Sequence, residues 1–353
     1  MGQLNIYNIG TGHSHAEATN LLVALHRDCP SRDAAFVQSS TGGSFKVVND
    51  GPGSTDEGGD IGGKIASVPG NALGGGSTKG VKTTTDLMVD MATRLNATQV
   101  NICGHSRGAI TSVRIAAKLY EASPMLPVFL FLIDPVKRMA MGTDFYNREI
   151  HPNVRDVRVV VMEDVGDKVL FKVLSLKTRA SGAASRHDLT ADKFTRMPGA
   201  HGTATQVDAP IGQVTFQFAR QFLARNGAPV GAGAWDNLQL CDHYFLIPLR
   251  NPIVTRGMVT TRVVNDGGAN LNVSKASRAD RLDGLGITNR FRDHPIFVNE
   301  HHYDLFRSGF PSLAAYFSGS GGALGDAAIN GEIARLRGVL PNGYALLTGL
   351  GII

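Results

Sequence analysis

Apolar residues along this chain fall into short alternating runs, separated by stretches where they recur every three or four positions, as strands interleaved with helices require. Residues 4–9 predict a first strand, and residues 16–26, with Leu21, Leu22 and Leu25 on one face, a first helix. Residues 34–38 and 45–48 predict two more short strands. An irregular glycine-rich stretch follows from 49 to 77, after which Val81, Met88, Met91, Ala92 and Leu95 mark a second helix. In residues 98–103, Val100 and Ile102 alternate with smaller or polar neighbours, which predicts a buried strand. Ile110, Val113, Ala117 and Tyr120 then recur at helical spacing up to Ser123-Pro124. Residues 127–133 are continuously apolar, as in a central strand covered on both faces. A further strand is predicted over 157–162, a polar stretch over 175–193, and a helix over 212–225 with Val214, Phe218 and Phe222 inward. Strands alternating with helices predict an α/β fold with a mostly parallel central sheet.

The composition changes after Asn226, so residues 1–225 read as a core domain and 226–353 as a C-terminal cap or accessory region. Within that region the pattern predicts a flexible link over 227–234, strands over 244–249 and 258–264, and a last helix over 326–337 after the glycine-rich 318–325. The end from Val339 is apolar enough to pack as core or to touch lipid. His301 and His302 are adjacent and point to different helical faces, which argues against a shared metal site.

The bulk numbers narrow the function classes. At 353 residues the chain is long enough for an ample core. The three cysteines, Cys29, Cys103 and Cys241, match no metal spacing and leave an odd one over, as expected of buried thiols in a reducing compartment. The net charge of +5 is diffuse, without a basic cluster interleaved with aromatics, so no nucleic-acid partner is expected. The longest apolar run, 125–133, is too short to cross a bilayer, so any membrane contact is expected to be peripheral. The first residues lack the basic and apolar regions of an export signal, which predicts synthesis in the cytoplasm without a cleaved signal peptide.

The chemistry concentrates at Gly104-His105-Ser106-Arg107-Gly108, a Gly-x-Ser-x-Gly turn between a predicted strand and helix. That spacing suits a serine nucleophile, because the hydroxyl sits on a sharp corner where side chains at either glycine would collide with neighbouring backbone. The competing reading makes Ser106 a helix cap. The turn also aims the Arg107 amide, at the positive end of the helix, towards a forming oxyanion. Gly10-Thr11-Gly12, after the first strand, is where such enzymes place a second oxyanion donor, here the amides of Thr11 and Gly12. His13 and His15 share that turn and read as loop residues rather than metal ligands. Asp50, Asp56, Glu57 and Asp60 lack the spacing of an EF-hand loop, so 49–77 reads as a solvated loop.

Asp134, at the carboxyl end of the 127–133 strand, shares a sheet edge with Ser106 and is the first choice for the acid that orients a histidine. Glu163, Asp164 and Asp167, after the next strand, compete with it. His201, on the loop Met197-Pro-Gly-Ala-His-Gly-Thr203, completes the order Ser, Asp, His; His187 is the alternative. Such a set needs no metal or organic cofactor.

Several separated segments coincide with one family: Ile9-Gly-Thr-Gly12 with Thr19-Asn20, Asp50-Gly-Pro-Gly53, Asn71-Ala-Leu-Gly-Gly-Gly76, Gly104-His-Ser-Arg-Gly-Ala109, Leu132-Ile-Asp-Pro-Val136, Glu163-Asp164 and Pro198-Gly-Ala-His201. Over residues 4–225 the sequence resembles an α/β-hydrolase domain family, formerly of unknown function, that includes lipase and phospholipase effectors of bacterial type VI secretion. It departs from that family at Ile9, where an Asp is usual, and after His201, where an aspartate and several glycines are usual. The resemblance implies Ser106, Asp134 and His201 as nucleophile, orienting acid and base. It also implies hydrolysis of phospholipid esters, export by the secretion machine, and a cognate immunity protein. The expectation is therefore a serine ester hydrolase, a phospholipase A-type antibacterial toxin. Its competitors are a cytoplasmic small-molecule esterase or thioesterase and a catalytically silent binding module on the same fold.

Overall fold

The computed structural model describes residues 2–10, 13–34, 37, 42–51, 75–137, 149–162, 172–173, 176–179, 186–190, 193–197, 201–207, 210–232, 253–256, 259–266, 269–273, 331 and 334. The chain runs β1 (Gly2–Asn8), α1 (Leu21–Asp28), β2 (Arg32–Asp33), β3 (Gly43–Asn49), α2 (Gly75–Arg94), β4 (Gln99–His105), α3 (Arg107–Ala122) and β5 (Val128–Ile133). It continues with β6 (Val136–Lys137), β7 (Glu149–Ile150), β8 (Val154–Met162), β9 (Lys172–Val173), β10 (Lys177–Arg179), β11 (Arg186–Asp188), β12 (Phe194–Met197) and α4 (Pro210–Arg225). Three further strands, β13 (Ile253–Arg256), β14 (Val259–Asp266) and β15 (Ala269–Val273), form an antiparallel sheet of their own.

Seven strands make the central sheet in the order β12-β8-β5-β4-β1-β3-β2, and every pair in it is parallel. This is an α/β fold built on a parallel central sheet, with the turn that carries Ser106 at the end of the middle strand β4. Alternation along each strand explains the layering, because successive side chains leave opposite faces. One face carries Leu4, Ile6, Phe45, Val47, Val100, Ile102, Leu130 and Val159 against Met88, Met91 and Ala92 of α2 and Ile110 and Val113 of α3. The other carries Tyr7, Val48, Cys103, Phe131, Ile133 and Val160 against Leu21, Leu22 and Leu25 of α1 and Ala219, Phe222 and Leu223 of α4. The unbroken apolar run of β5 follows directly from this, since it lies mid-sheet with helices over both faces.

Local polar groups moved several boundaries away from the periodicity. The first helix starts at Leu21 rather than at residue 16, because Asn20 caps it by accepting from the Leu22 amide at 3.0 Å, while residues 14–20 turn through Glu17 N–H to Ser14 O and Asn20 N–H to Glu17 O. The strand expected over 34–38 is the two-residue β2 at Arg32–Asp33; Ala34 instead accepts from the Val37 amide in a turn, and residues 35, 36 and 38 lie outside the described residues. The helix α2 begins at Gly75, within the stretch expected to be irregular, and the rest of 52–74 lies outside the described residues. Of the elements predicted after residue 225, the 258–264 strand corresponds to β14; residues 244–249, 301–302 and 318–325 lie outside the described residues, as does 326–337 apart from Gly331 and Ala334.

Residues 227–232, expected as a flexible link, are fastened to the core. Arg220 of α4 is buried, ion-paired with Asp28 at 3.0 Å, and donates to the carbonyls of Gly231 and Ala232 at 2.7 and 2.8 Å. The same Asp28 accepts from the Gly231 amide, and Gln3 donates to Gly227 O. A charge this deep in the fold is sustained by that carboxylate and those two carbonyls. Cys29 and Cys103 are buried free thiols, and burial pushes the Cys103 pKa up, keeping it protonated. Among the described residues no helix is long and apolar enough to cross a membrane.

Candidate active site

Ser106 occupies the corner between β4 and α3 with φ 57° and ψ −124°, a left-handed backbone that costs a side-chain-bearing residue of order 1–3 kcal/mol. Its two flanking glycines make the corner possible. A Cβ on Gly108 would lie 2.2 Å from Asn8 O, and one on Gly104 would lie 2.6 Å from Gly108 O, so α3 can pack against β1 and against the end of β4 only without side chains there. Beneath it, Asn8 donates to Ser112 Oγ at 2.8 Å and accepts from Asn49 at 2.8 Å, tying β1, β3 and α3 together under the corner.

Asp134 directly follows β5 and also has a positive φ, 41°. Its carboxylate is wholly buried: Oδ1 accepts from the Met162 amide at 3.1 Å, and Oδ2 lies 2.6 Å from His201 Nδ1. His201 precedes a single 3-10 turn, Thr203–Thr205, that is held to the loop before α1 by the Val207 amide donating to Thr19 O. Its Nε2 lies 2.8 Å from Ser106 Oγ. With a carboxylate on Nδ1, that nitrogen carries the proton, which leaves Nε2 free to accept from the serine hydroxyl. The structure thus brings Ser106, His201 and Asp134 into one hydrogen-bonded line, with only the imidazole partly open to solvent.

Neither a family model nor a curated protein matches the sequence. Among solved structures the chain is similar to an iodinated complex of acetyl xylan esterase, at 11% identity and a TM-score of 0.29, over 65% of this chain and 98% of that one. At that level the likeness says nothing about what this chain acts on.

The remaining candidates divide. Arg107 is the first residue of α3, directly after Ser106, as an oxyanion amide requires, whereas Thr11 and Gly12 lie outside the described residues. Glu163, Asp164 and Asp167 also lie outside them. His187 is exposed on β11, in a small sheet with β10 and β7. His15 and Asp50 meet each other: the buried Asp50 carboxylate accepts from the His15 amide at 2.6 Å and lies 3.1 Å from its ring nitrogen, while His13 pairs with Glu17. Asp50 therefore braces the turn after β1. No group of three or more metal-binding side chains occurs among the described residues.

Sequence reasoning missed His105. It stands inside the elbow motif as an apparent spacer, yet its buried ring lies against that of His201 with centroids 4.7 Å apart, and its Nε2 is 3.1 Å from His201 O. Burial, then the neighbouring His201, pushes its pKa from 6.5 down to about 3, against a smaller opposing pull from Asp134. The only visible signal was a polar ring at the end of a buried strand, directly before Ser106.

Proposed function

We propose that the protein is a serine ester hydrolase. The observation that carries this is the line Ser106 Oγ, His201 Nε2, His201 Nδ1, Asp134 Oδ2, with contacts of 2.8 and 2.6 Å, on a strained strand-to-helix corner. In this reading Ser106 Oγ attacks the acyl carbonyl as its proton passes to His201 Nε2. The carbonyl oxygen takes the negative charge and is held by the Arg107 amide together with amides of the Thr11-Gly12 turn. Collapse breaks the acyl carbon–oxygen bond, and His201 returns the proton to the departing alkoxide, leaving the acyl group on Ser106. Water, deprotonated by His201, then releases the carboxylic acid and restores the hydroxyl. Asp134 holds the imidazole in the required tautomer and stabilises the imidazolium formed in each half.

Within this chemistry we propose a phospholipid acyl ester as substrate and a role as a phospholipase A-type antibacterial effector delivered by type VI secretion, with an immunity protein in the producer. This finer reading is supported by the segment resemblance described above. The test is labelling by a fluorophosphonate probe, lost in Ser106→Ala, followed by fatty-acid release from phospholipid vesicles against release from a short soluble ester. Absence of labelling in folded wild type overturns the hydrolase reading. Labelling with turnover of soluble esters alone leaves the hydrolase and overturns the phospholipase.

A further inference from the structure

His105 lies between two parts of the site that have no covalent reason to stay together. On one side is the Gly10 backbone, so close that a Cβ there would lie 2.5 Å from His105 Nδ1 and 3.2 Å from Ser106 Cβ. On the other is the ring of His201, tilted by 31° with centroids 4.7 Å apart. His105 Nε2 is 3.1 Å from the His201 carbonyl oxygen, which can only accept, so Nε2 carries the proton and donates. Nδ1 is buried and has no hydrogen-bond partner among the described residues. One N–H donor and a flat ring face therefore meet the His201 segment, while the Nδ1 lone pair lies on the Gly10 side.

Building on the hydrolase reading, we propose that His105 is a positioning residue for His201. By grasping the His201 carbonyl and flanking its ring, it sets the distance from His201 Nε2 to Ser106 Oγ. The segment needs such a hold because His201 is carried far along the chain from Ser106 (|i−j| of 95), and a displaced base loses alignment with the hydroxyl it must deprotonate. The charge state of the holder matters too. Among the described residues, the ionisable groups whose charges act on it are His201, Asp134 just after β5 and His13 in the turn after β1. A cation beside His201 would oppose the imidazolium formed during turnover, and burial keeps His105 neutral.

Two full-length variants separate the hydrogen bond from the ring. His105→Phe keeps a flat uncharged ring and removes the donor, while His105→Gln can return an N–H to the place of Nε2 without the ring. The readouts are the rate of fluorophosphonate labelling per folded protein, kcat and KM on a soluble ester, and the pH profile of kcat/KM. The expected result is that His105→Phe labels roughly 10- to 100-fold more slowly, with kcat falling in parallel and KM unchanged. The midpoint of the acid limb stays in place, because one uncharged ring replaces another, and His105→Gln recovers most of the lost rate. Wild-type labelling rates in His105→Phe overturn the proposal, as do equal losses in both variants or failure of both to fold. A displaced or missing acid limb in His105→Phe also overturns it, since His105 would then itself be the titrating group. Absence of labelling in folded wild type removes the hydrolase reading and this one with it; labelled wild type with unaffected variants removes this one alone.

Discussion

Replacing Asp134 by asparagine exchanges one oxygen for a nitrogen at a buried site where, among the described residues, the Met162 amide at 3.1 Å and His201 Nδ1 at 2.6 Å donate to it. Asparagine has one carbonyl to satisfy both. If that carbonyl keeps the Met162 amide, its NH2 faces His201, and the imidazole must move its proton to Nε2 so that Nδ1 can accept. Nε2 then donates towards Ser106 instead of receiving its proton, and the base is lost although every atom stays near its place. The loss expected from holding a triad histidine in the wrong tautomer is about 10⁴-fold in kcat, or roughly 5 kcal/mol of transition-state stabilisation. Folding stability changes far less, because the Met162 amide stays paired, whereas Asp134→Ala would leave both donors unsatisfied at roughly 1–3 kcal/mol each. The assay is kcat on a soluble chromogenic ester alongside urea unfolding of wild type, Asp134→Asn and Asp134→Ala. An asparagine variant that keeps more than about a tenth of wild-type kcat refutes the tautomer argument and returns the acid role to Glu163, Asp164 or Asp167.

Two further outcomes test the physical reading of the corner. Ser106→Gly should be more stable than Ser106→Ala by about 1 kcal/mol in urea unfolding, reversing the usual order of these residues, because both lose the hydroxyl and only glycine accepts φ 57° freely. His105 predicts a stability slope: between its unfolded value of 6.5 and about 3 in the fold, the unfolded chain binds a proton that the folded chain refuses. Its contribution is thus complete above pH 6.5 and is lost as the pH falls towards 3, at roughly 1 kcal/mol per pH unit. Urea unfolding across that range should be less steep with pH in His105→Phe than in wild type, and identical slopes would refute the buried neutral imidazole.

Much of this molecule was readable from short stretches of chain. Strand alternation in 98–103 and the apolar run of 127–133 determine which elements form and that β5 is covered twice, because burial on a sheet face or a helix stripe acts with a period of two or nearly four residues. The glycines at 104 and 108 likewise announce a corner in which backbone packs on backbone. Boundaries were less legible where a single polar group overrode the pattern, as Asn20 does at the start of α1. The partners of Ser106 belong to another class of fact. Chain order allowed several acids and two histidines; the strand end before Asp134 and the Pro/Gly loop around His201 made these two the first choices, but no local feature decides whether they meet. Their meeting depends on strand order in the sheet and on a segment returning across it, contacts separated by 67 and 95 positions. His105 is the sharpest case: one motif position away from the serine, its significance lies in a carbonyl 96 residues downstream, which no local periodicity records.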